Sequence, residues 1–583
     1  MALLYNFCLT LLPELLLAGV ALSLWRQSKP LSRTELYNRV GLGFVLSGVG
    51  LYISFLSQFP SVGKVTVFAK PLATTKMATL LLCCGGAVCL LSARYFRARD
   101  QLSPKTFAIL LFATSATMLT VSAQDLITVL LSLELTCFLV FLVANQTASA
   151  EKPLSPLLHH AIAGIPGTAL LLGGLAFLLQ ATNTLGLESL AQASRRGAIF
   201  HPAFGWGTAL LFLGLAAKAA AVPLRLGSSR KSNTTTPGVM FLTISFPLVV
   251  LFVFSQWVSS LMPVGSLLGQ NSLVFAVSGA MLIWGALKSL AQASVPRMLL
   301  HASLVHIGIT FLAVLARQPS SNNTLFVYLL SFAIAMVGCF TVLIVFEEAE
   351  GKHLELQNLS GLFHRYPILS ACLTLFLLSL ASFPPTLGFL SKLSVWNSAL
   401  QSGQFPLLIL LMLSFIASMV VMYAYLRVVI VLWMHSEAPQ TTATDRPFPV
   451  ELRLAVGLSA AIVLLGFFPP LDSPPPLATK QIQPKTPPRP GTEKYQGHEV
   501  APEPIGTADA GTESVSDEPS TSQPATRPTS RPTNDWEQQK PAPSLSPLTN
   551  PTSKPATRPA TRPSSRPTTK PEPSSHPTTH PVE

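Results

Sequence analysis

Residues 124–144 read QDLITVLLSLELTCFLVFLVA. From Leu126 onward the run is long enough to cross a ~30 Å hydrocarbon layer as a helix, and it lacks the period-two alternation of a strand. One residue is out of place there: Glu134 lies a third to a half of the way in. A charge at mid-bilayer costs up to ~3.5 kcal/mol on insertion scales, so a carboxylate in such a run is a functional candidate by default. A hydrogen bond to a neighbouring helix is the bland alternative for Glu134. Asp125, nine residues earlier, sits where a helix N-cap belongs.

Runs of this kind recur. Approximate spans are 8–25, 40–57, 77–93, 106–123, 126–145, 161–181, 204–222, 238–261, 272–290, 298–316, 325–346, 367–383, 405–433 and 452–469, fourteen in all. Backbone polar groups cannot be left unpaired in lipid and no ten-residue alternating pattern suggests a barrel, so an all-α polytopic membrane protein is expected. Only 11% of the 583 residues are charged and 49% are apolar, which excludes a soluble globular domain. The first run carries Pro13 and Glu14 and has no basic segment before it, so it reads as a span and not as a signal peptide.

Residues 1–470 and 471–583 form two unlike pieces. The first holds 27 of the 39 basic and 14 of the 26 acidic residues and so carries the whole net charge of +13. The second is neutral and holds 25 of the 49 prolines in phrases such as KPATRPATRPSSRPTTKP. That composition cannot bury enough surface to offset chain entropy, so a disordered tail is expected. In the first piece the cations fall between apolar runs and not on one patch, which argues against nucleic acid as a partner and for the lipid bilayer. Loops after odd-numbered spans carry most of them, among them Arg26, Arg33, Arg94, Arg99, Arg225 and Arg365, while loops after even spans carry only Lys64, Lys70, Lys76, Arg195, Arg196 and Arg317. Odd loops are therefore expected in the cytoplasm and both termini outside.

Further ionisable groups lie inside the apolar runs. Lys218, in LLFLGLAAKAAAVPLRL, precedes Pro223, which is expected to break or bend the seventh span. A Glu/Lys couple in a low dielectric can switch charge state when either partner moves; snorkelling is the alternative for the lysine. Lys392, in LSLASFPPTLGFLSKLSVW, follows Pro384, Pro385 and Gly388, which predict a broken helix lining protein or a watery cavity. His301 and His306 are five residues apart, on neither a helical stripe nor a metal spacing; His306 could relay protons, and an interhelical hydrogen bond would explain either. His159, His160 and Lys288 lie nearer span ends, where an interfacial position suffices. The seven cysteines are all in apolar stretches without a C-x-x-C pair, and small core residues are the simplest reading. No Walker loop, dinucleotide glycine fingerprint or iron–sulfur cysteine cluster is present, so the driving force must come from a gradient or a partner.

The segments SLEL, AAKAAAVP, QASVPRMLLHASLVHIG, NLSGLFHRYP and FPPTLGFLSK occur in this order. In this order and spacing they resemble the antiporter-like membrane subunits of the proton-pumping NADH-quinone oxidoreductase, respiratory complex I, over most of residues 10–468. Lysine at position 392 and the N-terminal LLPELLL place the resemblance nearest the subunit N branch. The resemblance implies two inverted five-helix repeats, spans four to eight and nine to thirteen, with broken helices at spans seven and twelve. It implies a proton path through Glu134, Lys218, His306 and Lys392, no cofactor on this chain, and NADH, flavin, iron–sulfur clusters and quinone on partner subunits of the membrane complex. A bacterial inner membrane follows. The chain departs from that pattern where PLRLGSSRKSNTTTP follows Lys218 and where the eighth span has Phe246, Pro247 or Leu248 in place of a lysine. Two alternatives remain: a subunit of a multi-subunit cation/proton antiporter, and a non-conducting scaffold of the membrane arm.

Overall fold

Each of the fourteen apolar runs coincides with a helix over most of its described residues in the computed structural model, which describes residues 8–27, 31–56, 72–99, 101–144, 154–228, 236–262, 271–316, 321–351, 355–434 and 449–467. Within these, only the backbone is described at 154–163, 221–228, 271, 321–322 and 449. The expected tail, 471–583, lies outside the described residues. The helices are α1 (Leu12–Trp25), α2 (Arg33–Leu56), α3 (Leu72–Arg97), α4 (Pro104–Ser122), α5 (Leu126–Ala144), α6 (Leu154–Thr182), α7 (Pro202–Ser228) and α8 (Thr236–Leu261). They continue as α9 (Asn271–Ala291), α10 (Val295–Ala316), α11 (Ser321–Glu350), α12 (Pro367–Ala381), α13 (Leu387–Gln401), α14 (Phe405–Met434) and α15 (Pro449–Phe467). Eleven are long and apolar enough to cross a membrane by themselves, and α1, α5 and α12 are shorter apolar helices. The chain is a multi-pass membrane protein, and among the described residues it has no strand.

The twelfth span is broken as its sequence predicts. α12 ends at Ala381, Ser382 takes a left-handed φ of 65°, and α13 starts at Leu387. Pro384 and Pro385 have no N–H to continue the hydrogen-bond ladder, so the helix stops. Gly388 is needed where the halves meet, because a Cβ there would lie 1.9 Å from the Ser379 carbonyl oxygen. The break expected at Pro223 does not occur: α7 is helical without interruption from Pro202 to Ser228. A single proline removes one donor, and surrounding helices tolerate that; α6 and α8 likewise run continuously through Pro166 and Pro247.

An internal repeat shows in the backbone. Asp125, at the start of α5, pairs with Gly186 after α6, and Ser294, at the start of α10, pairs with Glu355 after α11. The partners are 61 residues apart in both cases. Each bridge ties a helix start to the chain leaving the next helix, as Leu187 N–H donates to Gln124 O (2.8 Å) and Leu356 N–H donates to Ala293 O (2.8 Å). The recurrence relates α5–α6 to α10–α11. Glu134 lies nine residues after Asp125, so its counterpart nine residues after Ser294 is Ser303.

α8 and α10 are predominantly apolar and buried nearly all round. Phe254 of α8 stacks on Phe311 of α10 with ring centroids 3.7 Å apart. α6 and α7 approach until their backbones touch: a Cβ at Gly174 would be 2.8 Å from Gly207 O, and one at Gly214 3.0 Å from Gly167 O. The glycines are seven apart on each helix, the small-residue seam by which membrane helices come close.

Candidate functional site: two buried lysines

The α6–α7 seam builds the first site. Lys218 of α7 is buried, and its stem runs along Gly164 and Gly167 of α6, where the missing side chains leave room for it. Its Nζ lies 2.6 Å from Glu134 Oε1 and donates to Oε2 at 2.7 Å. Thr168 Oγ1 of α6 donates to Glu134 Oε1 at 2.7 Å. Lys218, Glu134 and Thr168 therefore form one unit across three helices. The Glu134 side chain is 32% exposed, so the carboxylate stands at the lateral edge of the bundle while the ammonium is inside.

The break between α12 and α13 builds the second site. Lys392 is buried and its Nζ donates to the Leu380 carbonyl at 3.4 Å, one of the acceptors that the interrupted helix leaves open. His306 of α10 bonds through Nδ1 to Tyr328 Oη of α11 at 2.8 Å, and these two side chains line a small cavity with Lys392. Ser379 and Ser382 line it too, and their hydroxyls have no partner among the described residues. No carboxylate forms an ion pair with Lys392 among the described residues, which separates it chemically from Lys218. At the position equivalent to Glu134, Ser303 donates to its own helix at Leu300 O (2.7 Å).

The structure thus brings Glu134 to Lys218 and His306 to Lys392, while α8, which lies between the two lysines in the chain, has no ionisable side chain along its length. His301 is buried and bonds through Nδ1 to Arg297 O at 2.8 Å, within its own helix. Asp125 is a cap, its Oδ1 accepting from Thr128 N–H at 2.8 Å. Lys288 is exposed at the end of α9, its Nζ 5.0 Å from the Trp284 ring centroid. His159 and His160 lie in α6, but their side chains fall outside the described residues.

Three groups were not singled out from the sequence. Glu14 of α1 is buried and accepts from Ser122 Oγ of α4 at 3.0 Å, while its carbonyl accepts from Ser115 Oγ at 2.9 Å. Its signal in the sequence is plain, a carboxylate in an apolar run. Thr168 and Tyr328 are polar residues of ordinary type in apolar helices and carried no signal. The third is a belt of ion pairs at one end of the bundle. Arg94 reaches Glu348 and Glu451 (2.7 Å to the latter), Arg99 reaches Glu347 (2.8 Å) and Arg365 reaches Glu350 (2.9 Å). Among the described residues no three His, Cys, Asp or Glu side chains gather to hold a metal.

The profile of the family described as NADH:quinone oxidoreductase/Mrp antiporter, TM, matches residues 123–418, which contain all four residues of the two sites. NADH-quinone oxidoreductase subunit N of Syntrophotalea carbinolica is 30% identical over 473 residues, covering 80% of this chain and 97% of that protein. NADH-quinone oxidoreductase subunit N 2 of Acidobacterium capsulatum is 31% identical over 376 residues, covering 63% of this chain and 75% of that one. Among solved structures, a chain of respiratory complex I from Thermus thermophilus with bound aureothin has the same fold, with a TM-score of 0.62 at 22% identity over 79% of this chain and 98% of that chain. A profile spanning half the chain, and a relative matched over nearly its whole length, show that the chain belongs to the antiporter-like membrane subunits of NADH-quinone oxidoreductase, on the subunit N branch.

Proposed function

We propose that Glu134, Lys218, His306 and Lys392 carry the protons that this membrane subunit moves when NADH reduces quinone on partner subunits of the complex. The observation behind this is that two lysines are buried in the membrane-spanning bundle, each at a built site and each held differently. Lys218 is held as an ammonium by the bidentate carboxylate of Glu134. If that carboxylate is protonated or swings toward the lateral edge, the ammonium loses its counter-ion in a low dielectric, a state that costs several kcal/mol, and passing the proton on relieves it. Lys392 donates to a neutral carbonyl, that of Leu380, and the His306–Tyr328 pair beside it can take or return a proton through the imidazole.

The redox groups belong to other subunits in this proposal. The sequence has no dinucleotide glycine fingerprint and no iron–sulfur cysteine cluster, in keeping with that division of labour. The membrane is a bacterial inner membrane, with the ends of α3 and α11 that carry the ion-pair belt facing the cytoplasm and both termini facing outward. The excess of Lys and Arg in odd loops supports this orientation.

Reconstituted complexes carrying Glu134→Gln or Lys218→Ala test the proposal. Assembly should be retained and protons pumped per NADH should fall, whereas unchanged pumping would remove the first pair from the path. The lack of any ionisable side chain along α8 favours a second reading, a scaffold that fills the membrane arm without conducting. In that case both variants pump as the wild type does.

A further inference from the structure

A cavity of about 300 Å³ opens between the start of α3, the last turns of α8 and the start of α11, at the end of the bundle opposite the ion-pair belt. Its floor is apolar, with Met77, Phe252 and Leu329, and its rim is polar, with Lys76, Gln256 and Asn323. Lys76 is the only ionisable residue in the lining, and no carboxylate pairs with it among the described residues; its Nζ lies 5.6 Å from the Phe326 ring centroid. The Gln256 amide makes no hydrogen bond among the described residues. The Ser255 and Ser259 hydroxyls donate to their own helix at Phe252 O and Gln256 O, 2.7 and 2.8 Å.

The surroundings are short of negative charge. Residues 57–71, which lead into α3, contain Lys64 and Lys70, residues 317–320, which lead into α11, contain Arg317, and neither stretch contains Asp or Glu. Four of the six cations in even loops therefore fall, in the sequence, within α3 or on the stretches that lead into α3 and α11. A lysine at the level of a helix end, above a cavity that is apolar toward the membrane interior, fits a phosphate at the interface with acyl chain beneath it. The volume suits one lipid segment and is of the size in which small ligands are held.

We propose that this groove binds an anionic phospholipid, with Lys76 and Gln256 on the phosphate and Phe252, Met77 and Leu329 against the upper acyl chain. The inference rests on the membrane-spanning fold and not on the proton path, so it stands or falls separately from the function proposed above.

The complex containing the full chain is purified, exchanged into a mixture of phosphatidylglycerol and phosphatidylcholine, and the lipid retained is counted by mass spectrometry. Wild type should keep phosphatidylglycerol over phosphatidylcholine. Lys76→Gln should lower the retained phosphatidylglycerol by about fivefold, the change that one interfacial cation corresponds to. Ala73→Trp, which fills the groove from its exposed rim and leaves the charge in place, should lower it as well. Lys105→Gln, at the opposite end, should not. NADH oxidation at wild-type rate shows that each variant complex is assembled. Equal retention of the two lipids, no effect of either groove variant, displacement of the lipid by inorganic phosphate, or a partner subunit's side chain seated in the groove would each overturn the proposal.

Discussion

Lys392 and Lys218 are both buried cations, but what each would lose on substitution differs. Arginine keeps a positive charge and does not deprotonate in a protein, so at a proton station it fails while at a structural cation it serves. Lys392→Arg should therefore impair pumping nearly as much as Lys392→Ala; near-normal proton yield by the Arg form would take Lys392 off the path. At the first site the charge has a partner, and the two residues should act as a unit. Breaking a buried pair from one side leaves the other charge uncompensated, at a cost of about 3–5 kcal/mol, while removing both sides costs much less. Glu134→Gln and Lys218→Met should each lower the unfolding temperature of the chain, and the double variant should recover much of the loss. Additive losses would mean that the 2.6 Å contact contributes no coupling. These residues were legible because a charge in an apolar run is conspicuous. Their partners Thr168 and Tyr328 were not, because polar, uncharged residues occur throughout the spans and only the fold shows which of them reach a charge.

Among the elements, the apolar runs located every spanning helix, since length and hydropathy are the property the bilayer selects. Breaks were harder. Pro384-Pro385 followed by Gly388 ended a helix as expected, whereas Pro223 did not, and the difference is physical: two consecutive missing donors and a left-handed Ser382 stop the ladder, while one missing donor is absorbed by packing. The nine-residue helix Leu187–Arg195 between α6 and α7 went unseen because it is amphipathic and far too short to span. The glycine seam of α6 and α7 is readable afterwards from the seven-residue spacing of Gly167 and Gly174 and of Gly207 and Gly214. Its importance gives a third prediction. Gly214→Leu should force α6 and α7 apart, because even a Cβ would sit 2.8 Å from Leu171 Cγ, and so open the Glu134–Lys218 pair without touching either residue. Pumping and chain stability should fall together; full pumping with a normal melting profile would show that the seam does not position the pair.

For the whole molecule, the question is how two lysine sites, one on each side of α8 in the chain, would make one function when α8 itself offers no titratable group. If a single path joins them, each lysine is a step in series, and losing the second adds nothing once the first is gone. If each unit conducts alone, the losses add. The asymmetry of the sites favours the series arrangement. Lys218 is held by a carboxylate at the lateral edge, Lys392 by neutral groups inside, and Ser303 stands where a second carboxylate would make the second unit self-sufficient. Protons pumped per NADH should therefore be the same in Lys218→Ala/Lys392→Ala as in the worse of the two single variants, measured in complexes of equal NADH oxidation rate. A double variant whose loss equals the sum of the two single losses would assign each unit its own path. Wild-type yield no higher than that of the double variant would leave this subunit as scaffold, with the apolar α8 as the reason.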